Sequence, residues 1–414
     1  MPGYIEDRWL KKRPSRETGR RERTAMYGKC TRYRVKGIPG VRDCSFDVLN
    51  DAKTWLATAQ TDVRRQEFVD PRDGDLPLKD YISVHWWPSQ SGDPSTIERI
   101  EQRVRRHILP HLGALPLNTV GTDVLRNWKK RLEQDLGPTS IRLVWATLSS
   151  VLQAAVEDRR LARNPCRAKT VRPPAAAPGR LEAWPQERVL AVRAALPDRY
   201  RILVEIGAGL GLRQGEAFGL SLDDFDLDEG VVHIRRQIKM VRASLCFALP
   251  KGRKVRDVAL PSSVAEAARR YAAAFPTVPI TMAWDDPRPP KTPVEAKHRR
   301  PRTYNLLVTG RERKAINRNY FNSYIWKPAL TKAGVIGGLE QRADGQRVWE
   351  PSREHGFHAL RHFYASEQLE AGESVVSLAQ WLGHSDPGFT LKKYAHFLPR
   401  AGTRGTAAID ALFG

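Results

Sequence analysis

Two proline-rich segments divide this chain into three stretches whose residue patterns predict different folds. The first segment runs from Asp70 to Pro77 and the second from Asn164 to Gly179, and both have the composition of linkers. The stretch before them alternates like short strands, the middle stretch has helical periodicity throughout, and the last stretch is mixed. The prediction is an α+β multidomain protein with domains at 1–75, 76–165 and 180–414 and a linker at 166–179.

The first domain is predicted to be a small β-hairpin followed by a helix. Residues 31–35 and 42–48 can pair across a turn at Gly37–Gly40, and apolar residues at helical spacing begin at Ala52, with Asn50 as the helix cap. Residues 1–26 are rich in Arg and Lys and are expected to form a disordered basic arm.

The middle domain is predicted to be all-α, with about four amphipathic helices and basic outer faces. The last domain is predicted to be mainly helical with a small β-sheet, in which residues 231–238 and 245–260 are strands. The Lys251–Arg253 tripeptide is expected at a hairpin turn, residues 306–308 could add one more strand, and only helix is expected beyond Tyr320.

The charge of the chain favours nucleic acid as its partner. Lys and Arg number 69 against 46 Asp and Glu, which gives a net charge of +23 that is spread over all three stretches. No long basic helix with a broad apolar face favours a membrane surface, and no run approaches the ~20 apolar residues of a membrane span. With no signal peptide at the N-terminus and only four scattered cysteines, the expectation is a protein of the cytoplasm.

Five of the ten histidines lie between positions 355 and 396, which suggests a site. Metal binding is one reading, because His358 and His362 are four residues apart, but Ala359 stands where a zinc peptidase has its Glu. Phosphate chemistry is the other reading, because His358 and Arg361 share a helix face and can grip phosphate oxygens. Tyr394 is then the candidate nucleophile.

These motifs together resemble the tyrosine recombinase, or phage integrase, family, in the large form with an arm-binding-like N-terminal domain. The 210–216 segment, Leu-Gly-Leu-Arg-Gln-Gly-Glu, is similar to the family's first arginine box. The 358–362 segment, His-Ala-Leu-Arg-His, is similar to its His-x-x-Arg-His box. Leu382-Gly383-His384 followed by Tyr394 is similar to its last box. The resemblance spans about 180–400.

The resemblance implies a role for each matching residue. Tyr394 would attack the scissile phosphate and become joined to the 3′ end, while Arg213 and Arg361 clamp the non-bridging oxygens. His358 would take the tyrosine proton, and His384 would hydrogen-bond the phosphate. Lys251 would be the general acid for the leaving 5′ oxygen. Glu216 and His362 would support the phosphate-binding residues.

The resemblance also implies partners and the absence of cofactors. The 76–165 stretch would be a core-binding domain, so the expected partners are double-stranded DNA at core sites and arm-type sites and three further copies of the chain in a synaptic tetramer. An excision factor or a DNA-bending protein could assist, no cofactor or metal is needed, and the place of action would be the nucleoid in a bacterial cytoplasm. The apolar tail at 407–413 could dock on a neighbouring subunit.

Two alternatives to a site-specific recombinase stay open at this point. A relaxing enzyme similar to type IB topoisomerases would use the same residues but reseal the same strand. A DNA-binding regulator on the same fold would need no intact set of reactive side chains.

Overall fold

The computed structural model describes residues 3–16, 18–175, 182–341, 345, 347–349, 353–398, 410–411 and 413. The chain forms two compact units, residues 1–178 and 179–414. Most of the C-terminal tail predicted to dock on a neighbour lies outside the described residues. No described helix is long and apolar enough to cross a membrane.

The first unit begins with a three-stranded antiparallel sheet rather than a two-stranded hairpin. The strands are β1 (Tyr4–Asp7), β2 (Tyr33–Lys36) and β3 (Cys44–Phe46), with β2 in the middle, and α1 (Leu49–Arg64) packs on them. The predicted cap is wrong, because α1 starts one residue before Asn50 and Val48 occupies the cap position without a side-chain hydrogen bond.

The prediction of a disordered arm at residues 1–26 is also wrong. β1 pairs with β2 along its whole length, and the segment between them folds back on itself through a bridge between Leu10 and Arg23. The Trp9 indole donates to the Cys30 carbonyl at 2.6 Å, and Lys11 is ion-paired with Glu22 at 2.7 Å. The alternation of polar and apolar residues in β1 covers only four residues, which is too few to predict a strand. The residues that pair with β1 lie up to 32 positions away, so local sequence does not reveal the pairing either.

The rest of the first unit is helical, as predicted. Its helices are α2 (Leu78–Tyr81), α3 (Pro94–Arg103), α4 (Leu109–Leu112), α5 (Thr122–Asp135) and α6 (Pro138–Glu157). Trp128 and Trp145 stack at its centre with ring centroids 5.8 Å apart. Cys166 and Val171 are buried in the same cluster, so the first residues of the predicted linker pack on these helices.

The second unit is mixed and mainly helical. Its helices are α7 (Gln186–Ala195), α8 (Asp198–Gly209), α9 (Gln214–Phe218), α10 (Ser262–Ala274), α11 (Pro293–His298), α12 (Arg318–Phe321), α13 (Lys327–Lys332), α14 (His358–Glu370), α15 (Val375–Leu382) and α16 (Pro387–Tyr394). Its strands are β4 (Phe225–Asp226), β5 (Val231–Ile234), β6 (Gln237–Val241), β7 (Ser244–Ala248), β8 (Arg256–Ala259), β9 (Val278–Met282), β10 (Arg302–Leu306), β11 (Leu339–Gln341) and β12 (Arg347–Trp349).

The predicted hairpin turn at Lys251 is wrong. β6 pairs with β7 and β5 pairs with β8, so the four strands form one long bent hairpin. Its turn is Arg242–Ala243, where both residues have positive φ, and Lys251 lies in the 249–255 interruption between β7 and β8. The prediction of helix alone beyond Tyr320 is wrong too, because β11 pairs with β12. The strand predicted at 306–308 ends at Leu306 as β10, which pairs with β9.

Candidate active site

The first arginine box forms a tight corner before α9. Gly211 has a φ of 63°, in the left-handed region that favours glycine, and Arg213 occupies the cap position of the helix. The Arg213 backbone N–H donates to Oε2 of Glu216 at 3.0 Å, and its Nη1 donates to Oε1 at 2.9 Å. One buried glutamate therefore fixes both the backbone and the side chain of Arg213.

The carboxylate of Glu216 also binds Arg256, a residue that the sequence analysis did not identify. Arg256 is the first residue of β8 and donates to Oε1 at 3.1 Å and to Oε2 at 2.6 Å. A signal was present in the sequence, because Arg256 and the buried Val258 are two apart on a strand and share a face. An arginine on a core-facing strand position requires a buried partner for its charge.

Glu216 stays ionised although it is fully buried. Burial would raise the pKa of its carboxyl, but the charges and hydrogen bonds of Arg256 and the charge of Arg213 outweigh burial and lower that pKa to about 2. A single carboxylate does not neutralise Arg213, Arg256 and the nearby Arg361. The site therefore has excess positive charge, as binding of a phosphodiester requires.

Arg361 lies on α14, and its side chain contacts Gly211, Leu382 and His384. Only 1% of this side chain is exposed, and its Nη1 donates to the Gly211 carbonyl at 2.8 Å. Its Nη2 donates to the Leu382 carbonyl and lies 3.2 Å from Nε2 of His384. Burial and then the charge of Arg213 lower the pKa of Arg361 to about 9, so the guanidinium remains charged at neutral pH.

His384 follows Gly383, which ends α15 in the left-handed conformation. Burial and then Arg361 lower the pKa of His384 to about 3, so its imidazole is neutral at pH 7. Because a guanidinium only donates, Nε2 accepts from Arg361 and Nδ1 carries the proton toward Oγ1 of Thr390, 2.7 Å away. A hydrogen bond from Nε2 to a phosphate would require the other tautomer.

Tyr394 ends α16 with its hydroxyl 2.8 Å from Nδ1 of His362. Burial raises the pKa of Tyr394 to about 12, although Arg361 and Arg213 favour the phenolate. Burial and then His358 lower the pKa of His362 to about 2, so His362 is neutral and can accept a hydrogen bond from the phenol. The resemblance implied His358 as the acceptor, but in the structure it is His362 that contacts the Tyr394 hydroxyl. His358 lies next to His362, and the centroids of the two imidazole rings are 4.5 Å apart.

The structure places Lys251 outside the predicted hairpin turn and a second lysine, Lys393, beside Tyr394. Lys251 is exposed, and no residue that the structure describes pairs with its ammonium group. Lys393, which sequence reasoning missed although it precedes Tyr394, has its Nζ 5.6 Å from the Tyr394 ring centroid. Burial and then Arg361 lower the pKa of Lys393. Within the described residues, no three His, Cys, Asp or Glu side chains are arranged to hold a metal ion.

The neutral histidines make stability dependent on pH. Burial is the largest cause that lowers the pKa of His358 to about 4, of His362 to about 2 and of His384 to about 3, against an ordinary 6.5. The unfolded chain binds protons at these sites below pH 6.5 and the folded chain does not, so stability falls as the pH drops from 6.5 toward the folded values. We expect the Tm at pH 5 to lie about 10 °C or more below that at pH 7.5.

Thermal unfolding followed by circular dichroism measures this difference. Replacing the exposed His298 by Gln should leave the pH dependence of the Tm unchanged, whereas His362→Gln should weaken it. A Tm that is equal at the two pH values in the wild type would contradict the assignment of neutral, buried imidazoles.

Residues 185–400, slightly more than half of the chain, match the sequence profile of the phage integrase family. The chain belongs to the phage integrase family. All residues of the cluster described above lie in the matched region. The family membership confirms the resemblance inferred from the boxes, and this phage integrase is a site-specific DNA recombinase.

Curated relatives of this integrase match over most of both chains. The tyrosine recombinase XerC-like protein of Caldanaerobacter subterraneus subsp. tengcongensis is 24% identical over 360 residues, which cover 84% of this chain and 85% of the relative. The integrase of Mycobacterium phage D29 is 25% identical over 384 residues, which cover 89% of this chain and 91% of the relative.

Solved structures show the same fold. The Tn1549 transposon integrase in complex with transposon right end DNA has a TM-score of 0.60 at 16% identity, and the match covers 82% of this chain and 100% of that one. A lambda integrase tetramer bound to a Holliday junction has a TM-score of 0.53 at 14% identity, with 89% and 93% covered. The predicted α+β multidomain fold class is confirmed.

Proposed function

We propose that this integrase cleaves and rejoins DNA through a 3′-phosphotyrosine on Tyr394, and so integrates or excises a phage or another mobile element. The observation that carries the proposal is a single cluster in which the Tyr394 hydroxyl contacts a neutral histidine and the charges of two nearby arginines oppose the rise in its pKa that burial causes. Such a cluster supplies a nucleophile, a proton acceptor and cations for one phosphate.

The cleavage step follows from these positions. Oη of Tyr394 forms a bond to phosphorus, and its proton passes to Nδ1 of His362, whose pKa the negative charge of the bound phosphate would raise. The P–O bond to the 5′ oxygen breaks, and Arg213 and Arg361 stabilise the charge that develops on the non-bridging oxygens. Because Tyr394 is fully buried in the structure, its hydroxyl has to move outward to reach a DNA phosphate.

The leaving 5′ oxygen needs a proton, and we assign the general acid to Lys251. Its exposed position between β7 and β8 leaves its ammonium group available to a DNA strand. The phosphotyrosine keeps the energy of the broken phosphodiester bond. A 5′ hydroxyl from another strand can therefore attack it and restore the DNA without a nucleotide cofactor.

The partner of this chemistry is duplex DNA, and the assembly is a homotetramer. The Tn1549 integrase and the lambda integrase were solved bound to DNA, the latter also as a tetramer on a Holliday junction, and we extend both properties to this chain. The phage relatives come from mycobacteriophages, so we place the reaction on bacterial chromosomal DNA in the nucleoid. An excision factor or a DNA-bending protein would set the direction of the reaction.

The 1–75 domain would bind separate arm-type DNA sites, and the ordered segment between β1 and β2 supports this. Beyond the Lys11–Glu22 pair, this segment carries exposed Lys12, Arg13, Arg16 and Arg20, for which no ion-pair partner is found among the described residues. Cations without an ion-pair partner on this ordered segment are suited to phosphate contacts.

Replacing these four residues by Ala should reduce the salt dependence of duplex binding. Each lost phosphate contact reduces the magnitude of the slope of log K against log salt by about 0.9, so we expect a decrease of about 3.6. Equilibrium binding of the full chain at several salt concentrations measures the slope. The variant Arg269→Ala/Arg270→Ala, which removes ion-paired surface charges of the second unit, is the control. If the slope changed by the same amount per removed charge in both variants, the segment between β1 and β2 would have no specific role in DNA binding.

A recombination assay tests the function itself. One plasmid carries the DNA that flanks the gene, another carries the candidate chromosomal target, and sequencing detects new junctions. Junctions at one position support a site-specific recombinase. Relaxation of supercoils without junctions would favour the enzyme similar to topoisomerases, and binding without any cleavage would favour a regulator.

A further inference from the structure

Arg256 has no predicted contact with the phosphate, yet it contacts the carboxylate that holds Arg213 and the glycine that precedes His384. Its side chain is 7% exposed, contacts both oxygens of Glu216, and donates from Nε to the Trp381 carbonyl at 2.6 Å. A Cβ at Gly383 would lie 3.1 Å from its Cδ, so the glycine before His384 packs directly on this arginine. One side chain thus connects α9 to the end of α15.

The two arginines share Glu216 unequally. Arg256 contacts both carboxylate oxygens, whereas the Arg213 side chain contacts Oε1 alone. A guanidinium has five N–H donors and pairs best with a carboxylate through two of them. Without Arg256, the buried Glu216 would have Arg213 as its remaining side-chain ion-pair partner in the described site, and a two-point pair would occupy donors that a phosphate needs.

We propose that Arg256 is a positioning residue that competes with Arg213 for Glu216 and thereby keeps the Arg213 guanidinium available to the scissile phosphate. The proposal rests on the function proposed above, in which Arg213 binds that phosphate. The two arginines then have different roles, because Arg256 holds the carboxylate and Arg213 meets the DNA. The contact to the Trp381 carbonyl also fixes the end of α15, from which the Leu382 carbonyl accepts from Arg361.

Single-turnover cleavage of a nicked duplex that carries the core site measures this role. The full chain is used at saturating concentration and at a temperature where circular dichroism shows every variant folded, so that a purely structural role leaves the rate unchanged. Arg256→Met should slow adduct formation about 100-fold, as expected when one preorganised donor is lost, with DNA affinity close to that of the wild type. Arg256→Lys keeps the positive charge but loses the contact with both carboxylate oxygens. Its cleavage rate should lie between those of the wild type and Arg256→Met.

A double-mutant cycle with Glu216→Gln decides whether Arg256 acts through the carboxylate. In the Glu216→Gln background there is no negative charge to compete for, so Arg256→Met should change the rate less than about threefold. Arg256→Met alone leaves the buried Glu216 with one ion-pair partner, Arg213, instead of two, whereas the double variant has no buried carboxylate to pair. The comparison of Glu216→Gln with the double variant can therefore be made even if Arg256→Met alone does not fold.

The outcomes separate this inference from the proposed function. If the wild type forms no adduct, the proposed function is wrong. If the wild type forms it but folded Arg256→Met cleaves at the same rate, the inference is wrong. An equal loss from Arg256→Met with and without Glu216→Gln would also overturn it, because Arg256 would then act independently of the carboxylate.

Discussion

Tyr394→Phe is expected to form no covalent protein–DNA adduct. The substitution removes one atom, the phenolic oxygen that contacts Nδ1 of His362, and keeps the buried ring in place. Because no other group of the ring can bond to phosphorus, cleavage should fall below detection rather than become slower. The adduct is measured as a protein band that retains labelled DNA after denaturation, on a nicked substrate that prevents religation.

A matched control separates loss of the nucleophile from loss of packing. Tyr364 is also buried, in the same hydrophobic cluster as Tyr394, and Tyr364→Phe should still form the adduct. The loss of one hydrogen bond in Tyr394→Phe costs about 1 kcal/mol of folding free energy, so the variant should remain folded and bind DNA. An adduct that persists in Tyr394→Phe would show that another residue is the nucleophile.

The residues that sequence reasoning could place are those whose motifs are local. Arg213 and Glu216 are three residues apart, and Arg361 and His362 are neighbours on one helix, so short spacings predict their proximity. The structure brings Arg213, Arg361, His384 and the His362–Tyr394 pair into one cluster, as the order of the boxes implied.

The features that sequence reasoning missed depend on pairing between distant parts of the chain. Arg256 is 40 residues from Glu216 and 125 from Trp381, so no local spacing reveals that they meet. The register of the bent hairpin depends on β5 pairing with β8, which places the hairpin turn at Arg242–Ala243 and leaves Lys251 between β7 and β8. His358 and His362 share a helix face, and only the position of α16 decides which of them meets Tyr394.

Arg213→Ala is expected to slow cleavage about 10²–10³-fold while leaving most duplex binding intact. The guanidinium would stabilise charge on the phosphate in the transition state, and loss of such a donor typically costs about 2.7–4 kcal/mol, a 10²–10³-fold slower reaction. Binding depends on many phosphate contacts, so losing one cation should change the salt dependence by about one unit of slope.

The structure explains why this variant should fold and how the result would discriminate between roles for Arg213. Glu216 keeps both of its contacts with Arg256 when Arg213 is truncated, so no buried charge is left unpaired. Arg201→Ala, which removes a half-exposed arginine ion-paired with Asp198, is the matched control and should cleave at the wild-type rate. If Arg213→Ala lost binding in proportion to cleavage, the ground-state complex would depend on Arg213 as much as the transition state does. Arg213 would then position the DNA and contribute no selective stabilisation of the transition state.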